Sequence, residues 1–261
     1  MPDLLLAIDV GNTNIVIGVF SGEELKVSWR LATQRERTAD ELGIWVAQLF
    51  EHGHIPLEQV RGAVMASVVP PLTRTVTTMI AQSFDLRPLI VDGAMTTGMP
   101  ILYENPAEVG ADRIVNGIGA YERYGRESGR PVIVVDFGTA TTFDAITAKG
   151  EYLGGVICPG IQISADALFQ RAARLPRVDV QKPAHVIGRT TVGSMESGLF
   201  YGYVGLIEGL VARIRGELGA NAVSVATGGL ADVISPETKA IQHVDPELTL
   251  RGLRIVWERN R

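Results

Sequence analysis

Short blocks of branched apolar residues, each closed by a glycine-bearing polar turn, recur along this chain of 261 residues. LLLAIDV runs into GNTN and then IVIGVF; about half a chain later, VIVVDF runs into GTATT and then TFDAI. Unbroken apolar runs of this length suit strands buried on both faces, central in a sheet covered by helices. Their repetition predicts a duplicated β-hairpin with Asp9 and Asp136 in matching positions. Between the hairpins, helical periodicity predicts helices near Ala39–His52 and Leu72–Phe84, with an extended AVMASVV from Ala63 to Val69. Alternation of helix and strand predicts an α/β fold. NPAEVGADR reads as a helix start, with Asn105 as cap, Pro106 in the first position and Glu108 closing a capping box, which sets GADR in the early turns. After the second hairpin come a turn in GGVICPG and helices near Ile163–Arg174 and Ser194–Leu218. Gly198, Gly202, Gly205 and Gly209 share one face of the second helix. Each costs about 1 kcal/mol relative to alanine, so the stripe predicts close approach of another backbone, within the chain first and from a second subunit next.

Composition narrows the partners. Hydrophobic residues make up 46% and charged residues 20%, which is ample for a packed core and fits two half-size lobes. A net charge of −5 gives no general attraction for nucleic acid or an anionic membrane, so an anionic ligand needs a local site. Cys158 is the sole cysteine, which excludes an internal disulfide and a cysteine-rich zinc site and predicts a reducing, cytoplasmic setting. The apolar run in MPDLLLAIDV is too short, and too poor in basic flanking residues, to predict export. The stretch Gly198–Ile214 contains Glu208 and Arg213 and falls short of the roughly 20 apolar residues that span a bilayer. His52 and His54 have no further ligand beside them and read as surface; TQRERTADE, with its alternating charges, reads as a solvated loop.

Phosphate groups require backbone N–H donors that can come close, and an acid nearby to hold a hydrated cation. Gly11, Asn12 and Thr13 supply one such turn beside Asp9; Gly138, Thr139 and Ala140 supply another beside Asp136. A single Asp-x-Gly turn suits any hairpin, but its recurrence points to paired phosphate loops. The chain has no P-loop ending in Gly-Lys-Ser/Thr and no Gly-x-Gly-x-x-Gly opening a helix, and Asp136-Phe137-Gly138 lacks the other protein-kinase motifs. In VSVATGGLAD, Gly228 and Gly229 would let a flat adenine lie on the backbone, although the same pair also suits a simple strand end.

The ordered series DVGNT, GADR, DFGTATTFD, GGVICPG and ATGG, from Asp9 to Gly229, resembles the motif series of type III pantothenate kinases, in the superfamily of acetate and sugar kinases, heat-shock ATPases and actin. The resemblance implies duplicated actin-like (ribonuclease H-like) domains, each a mixed central sheet flanked by helices, with a cleft between them. The expected lobes are 1–125, with the first phosphate loop and GADR, and 126–261, with the second loop and the adenosine turn. It implies ATP-dependent phosphorylation of pantothenate, the first step towards coenzyme A. Asp112 is the implied base; Gly110, Ala111, Arg113 and Tyr103 are implied on the pantothenate side, with Thr191 reaching it across a homodimer interface. Asp9, Val10, Gly11, Asn12, Thr13, Asn14, Ile15 and Val16 form the implied first ATP loop, Thr139 meets the phosphates from the second, and Gly228 and Gly229 take the adenosine. Asp9 is expected to orient Mg²⁺ through water, and Asp136, helped by Asp144, to lie beside a monovalent cation, K⁺ or NH₄⁺. Fold and phosphate loops leave open another small-molecule kinase, a polyphosphatase-like hydrolase or a non-catalytic regulatory relative; only GADR and its surroundings choose pantothenate.

Overall fold

The structure is a computed structural model that describes residues 3–92, 97–172 and 174–261. Its first part contains β1 (Leu4–Val10), β2 (Asn14–Ser21), β3 (Glu24–Ala32), α1 (Ala39–His52), β4 (Val60–Ser67), α2 (Pro70–Phe84) and β5 (Leu89–Val91). There follow α3 (Ala111–Ala120), β6 (Val132–Phe137), β7 (Ala140–Ile146), β8 (Tyr152–Pro159) and α4 (Ile161–Arg171). The last part holds α5 (Thr191–Leu218), β9 (Val223–Gly228), the short α6 (Ala231–Ile234), β10 (His243–Val244) and α7 (Leu248–Asn260).

Two compact units result, one of residues 1–119 with 248–261 and the other of residues 120–247. The first sheet has the order β3-β2-β1-β4-β5, and the second, β10-β9-β6-β7-β8, is the same arrangement met again. In each, a hairpin and a third strand pair antiparallel, while the strands that follow join in parallel (β1 with β4, β6 with β9). The duplication expected from the two hairpins is therefore present strand for strand. The units differ from the expected lobes 1–125 and 126–261 in two respects: the last helix returns to the first unit, and residues 120–125 go with the second.

The return of α7 follows from side-chain volume. On one face of the first sheet, Leu6, Ile8 and Ile17 pack with Leu42, Val46 and Phe50 of α1 and with Leu72, Val76 and Met79 of α2. The other face has glycines where α7 lies: a Cβ at Gly18 would fall 2.8 Å from a Leu250 methyl, and one at Gly62 would overlap the Trp257 ring. Helices α3 and α7 also cross closely, because Gly252 sits on the Val115 carbonyl and Gly119 within 2.8 Å, Cβ to oxygen, of the Leu248 carbonyl. Close helix approach thus occurs here and not at the expected stripe on α5. A Cβ at Gly198, Gly202 or Gly205 would meet nothing within 4 Å, and one at Gly209 would meet only the tip of Arg213. The intramolecular packing predicted for that stripe is absent among the described residues.

The helix expected to start at Asn105 is also divided. Asn105 Nδ2 donates to Glu108 Oε1 over 2.9 Å, a bond between side chains, and Pro106–Glu108 form a single 3₁₀ turn. Val109 is extended (φ −77°, ψ 121°) and buried, so the chain straightens before α3 begins at Ala111. GADR still occupies a first helical turn, but the turn belongs to a separate helix. The helices expected at Ile163 and Ser194 start earlier, at Ile161 and Thr191; the second is capped by Thr190 Oγ1, which accepts from Gly193 N.

Candidate active site

In the first unit, β1 ends in Asp9 and Val10, and Gly11 N donates to the Asn14 carbonyl (2.9 Å) to close the hairpin. Asp9 is half-buried, and Asn12 and Thr13 are exposed at the tip. The side chains of Val10 and Ile15 point into the core, so these two residues can offer a ligand only backbone. Thr33, just beyond β3, fastens the loop twice: its N–H donates to the Thr13 carbonyl (2.9 Å) and its hydroxyl to the Gly11 carbonyl (2.7 Å). Both peptides are trans, and a trans peptide points its N–H opposite to its carbonyl. The Asn12 N–H is therefore turned away from Thr33, in the sense a phosphate loop requires.

GADR reaches the same sheet edge through Val68. Val68 N donates to the Val10 carbonyl (3.0 Å), and its side chain stands 3.8 Å from where a Cβ of Gly110 would be. Asp112 Oδ1 lies 2.6 Å from that same point, so the carboxylate occupies space that only glycine leaves free. The Arg113 N–H donates to Asp112 Oδ1 over 2.8 Å. Burial raises the Asp112 carboxyl above the ordinary aspartate range, opposed in part by that hydrogen bond and by the Arg113 charge. A raised carboxyl pKa at a glycine-lined position suits a proton acceptor. Gly110→Ala is expected to rotate the carboxylate away, lowering kcat about 10- to 100-fold while the chain stays folded; unchanged kcat would show that the carboxylate position is unimportant. Ala111 and Arg113 are buried, and Tyr103 is half-buried on the segment before the 3₁₀ turn.

In the second unit, Asp136 pairs with Thr142 on β7 and Thr227 on β9. The turn after it is closed by Gly138 N donating to the Ala140 carbonyl (3.1 Å), and Gly160 N holds the Thr139 carbonyl (3.1 Å). A Cβ on Gly160 would overlap that carbonyl oxygen and lie 2.8 Å from the Gly138 carbonyl. Gly228 has φ +90°, a conformation glycine favours, and a Cβ there would stand 2.5 Å from Asp136 Oδ1. Gly229 follows it, exposed, in the turn. Asp144 is fully buried and accepts from Tyr152 OH (2.6 Å) and Thr142 Oγ1 (3.4 Å), so Asp136, Thr142 and Asp144 line one face of the hairpin. Thr191 opens α5 and faces a cavity of about 1070 Å³ between α4 and α5, whose lining includes Pro159, Leu168, Arg189, Gly198 and Leu199. The roles of Thr33, Val68, Gly160 and Tyr152 were not foreseen from the sequence; of these, only Gly160, inside GGVICPG, lay within a motif.

Two copies of one sheet, each with an acid and a glycine turn at the end of its central hairpin, define the class by its fold, which is actin-like. MreB 5 of Spiroplasma citri, solved with AMPPNP, superposes with a TM-score of 0.57 at 8% identity, covering 99% of this chain and 97% of that one. The inorganic polyphosphate/ATP-glucomannokinase of Arthrobacter sp. strain KM gives 0.53 at 16% identity, covering 99% and 100%. Both likenesses concern the fold. Within this class the chain belongs to the type III pantothenate kinase family, whose model it matches over residues 5–213. The type III pantothenate kinase of Moorella thermoacetica is 56% identical over 257 residues, covering 98% of this chain and 100% of that protein. That of Myxococcus xanthus is 57% identical, covering 98% and 99%.

Proposed function

We propose that this chain transfers the γ-phosphoryl group of ATP to the primary hydroxyl of pantothenate, giving 4'-phosphopantothenate for coenzyme A synthesis. The observation that carries the reading is the half-buried Asp112 carboxyl of GADR, set through Val68 beside the strand end that opens the first glycine loop. Phosphoryl transfer asks a protein chiefly to position its reactants and balance charge, with one group to accept the hydroxyl proton. Asp112 accepts that proton. Gly110, Ala111, Arg113, Tyr103 and Thr191 shape the pantothenate side; the loops at Gly11–Thr13 and Thr139 take the phosphates, and Gly228 and Gly229 the adenosine.

A single carboxylate beside a phosphate loop, as Asp9 is, suits magnesium, whose shell is completed by phosphate oxygens and water. When bound, Mg²⁺ offsets phosphate charge. Asp136, with Thr142 and Asp144 on the same face, offers oxygen donors that suit K⁺ or NH₄⁺. Replacing potassium by sodium is expected to lower ATP turnover severalfold, and equal rates in the two salts would remove the cation from Asp136.

A homodimer is supported by the open glycine face of α5 and by exposed Ile157 (62%), Val186 (64%) and Ile187 (82%) in the same unit. Sedimentation as a monomer at assay concentration would contradict it. No described helix is long and apolar enough to cross a membrane, and a cytoplasmic enzyme is the setting we infer from the single cysteine. The function itself is tested by ADP release with pantothenate, glycerol, acetate, a hexose or no acceptor. Release only with pantothenate is expected. Preference for another acceptor would indicate a different small-molecule kinase; equal release without acceptor, a hydrolase; none despite ATP binding, a regulatory relative.

A further inference from the structure

The segment between β3 and α1, TQRERTADE, has alternating charges and reads from sequence as solvent-facing. In the structure it is built around the first glycine loop. Thr33 holds the Gly11 and Thr13 carbonyls, the chain then turns with Arg37 N donating to the Gln34 carbonyl (3.2 Å), and Thr38 and Glu41 close a reciprocal capping box that starts α1. Both ends of the turn are thus fixed, which defines where its two arginines emerge.

The two differ in what they meet. Arg37 Nη2 donates to Gln34 Oε1 at 2.7 Å, and its guanidinium lies 5.9 Å from the centre of the Trp45 ring. Arg35 leans the other way, onto the loop tip, where its Nη2 stands 3.4 Å from Asn12 Oδ1. Among the described residues no carboxylate lies within ion-pair distance of Arg35, and its one hydrogen-bond partner is a neutral amide at the long limit of such a bond. A planar, permanently charged donor fork held so weakly over a loop with an outward N–H matches an anion with two or more oxygens.

We propose that Arg35 is a phosphate-binding residue, leaving Asn12 to donate to the terminal phosphates of ATP, and that Thr33 is the positioning residue that orients the loop beneath it. The proposal rests on the reading of Gly11–Thr13 as a phosphate loop. Arg35 would then add charge compensation to that loop's amides, acting when nucleotide is bound.

The test compares Arg35→Ala, Arg35→Lys, Arg37→Ala and Asp9→Asn in the full-length protein, by steady-state kinetics and by titration with ATP and with adenosine. Loss of a charge-assisted hydrogen bond predicts a rise in the KM for ATP on the order of 10- to 100-fold for Arg35→Ala. The KM for pantothenate, adenosine affinity and the nucleotide-free melting temperature should stay unchanged, and Arg35→Lys should recover part of the loss. Arg37→Ala should match wild type in KM for ATP, which separates a local contact from loss of charge in general. Wild-type ATP binding by both Arg35 variants, alongside weakened binding by Asp9→Asn, would overturn the role of Arg35 alone. Wild-type ATP binding by all of them would overturn the first loop as a phosphate site as well. Equal losses of ATP and adenosine affinity in Arg35→Ala would assign Arg35 to structure.

Discussion

Asp112→Asn is expected to lose 10²- to 10⁴-fold in kcat, the range general-base catalysis usually supplies, while ATP still binds. Asparagine keeps the shape and can still accept the Arg113 N–H through Oδ1, so the change removes basicity and little else. The same substitution should stabilise the protein. Burial raises the native carboxyl of Asp112, whereas in the unfolded chain it titrates near 3.9, the ordinary value. Between these two values the folded chain holds a proton that the unfolded chain has released, so stability falls as pH rises through that window. The asparagine variant has no such loss. Its melting temperature should therefore exceed that of wild type at neutral pH, and the difference should close as the pH approaches 4. Thermal unfolding across that range checks the stability, and kcat/KM checks the activity, with an acid limb in wild type above the usual aspartate range. A variant that is no more stable at neutral pH, or that turns over normally, would remove Asp112 as a partly desolvated base.

Gly160→Ala is expected to have the second largest effect, and through backbone alone. The Gly160 conformation (φ −69°, ψ 157°) is open to any residue, so the requirement for glycine comes from space. A methyl group there meets the carbonyls of Thr139 and Gly138, which are backbone and cannot swing aside. The second glycine loop must retreat by about 1 Å, and misplacements of that size can cost on the order of 100-fold in rate. Overpacking of this kind also costs about 1–3 kcal/mol of stability. A raised KM for ATP, an unaltered KM for pantothenate and a lowered melting temperature are the expected results. A variant with wild-type ATP kinetics would show that the Thr139 loop does not act on the nucleotide.

What the sequence makes legible is what local chemistry decides. Two apolar runs closing in Asp-x-Gly predict two hairpins, and both are present with Asp9 and Asp136 at corresponding strand ends. Amphipathic spacing places α1 at Ala39–His52, where Thr38 and Glu41 provide the start signal. Long-range geometry is far less visible. The return of α7 to the first sheet depends on gaps at Gly18 and Gly62, which mean nothing until Leu250 and Trp257 fill them. The glycine stripe on α5 promised a neighbouring backbone, yet the close crossing lies at Gly119 and Gly252, which form no stripe. The cap signal at Asn105 was spent within one 3₁₀ turn because Val109 is drawn, extended, into the core. At the proposed site, the acids and glycines stood out because a phosphate ligand would call for them. Thr33 and Arg35 did not, since a threonine and an arginine in a polar loop carry no signal until the hairpin tip is seen beneath them.

The most direct test of the central claim is the ³¹P spectrum of the purified protein incubated with ATP, Mg²⁺, potassium and pantothenate. A phosphate monoester on the primary hydroxyl of pantothenate, growing in step with ADP and absent with Asp112→Asn, is the expected result. Inorganic phosphate in place of the monoester, or a monoester formed equally well by Asp112→Asn, would contradict it.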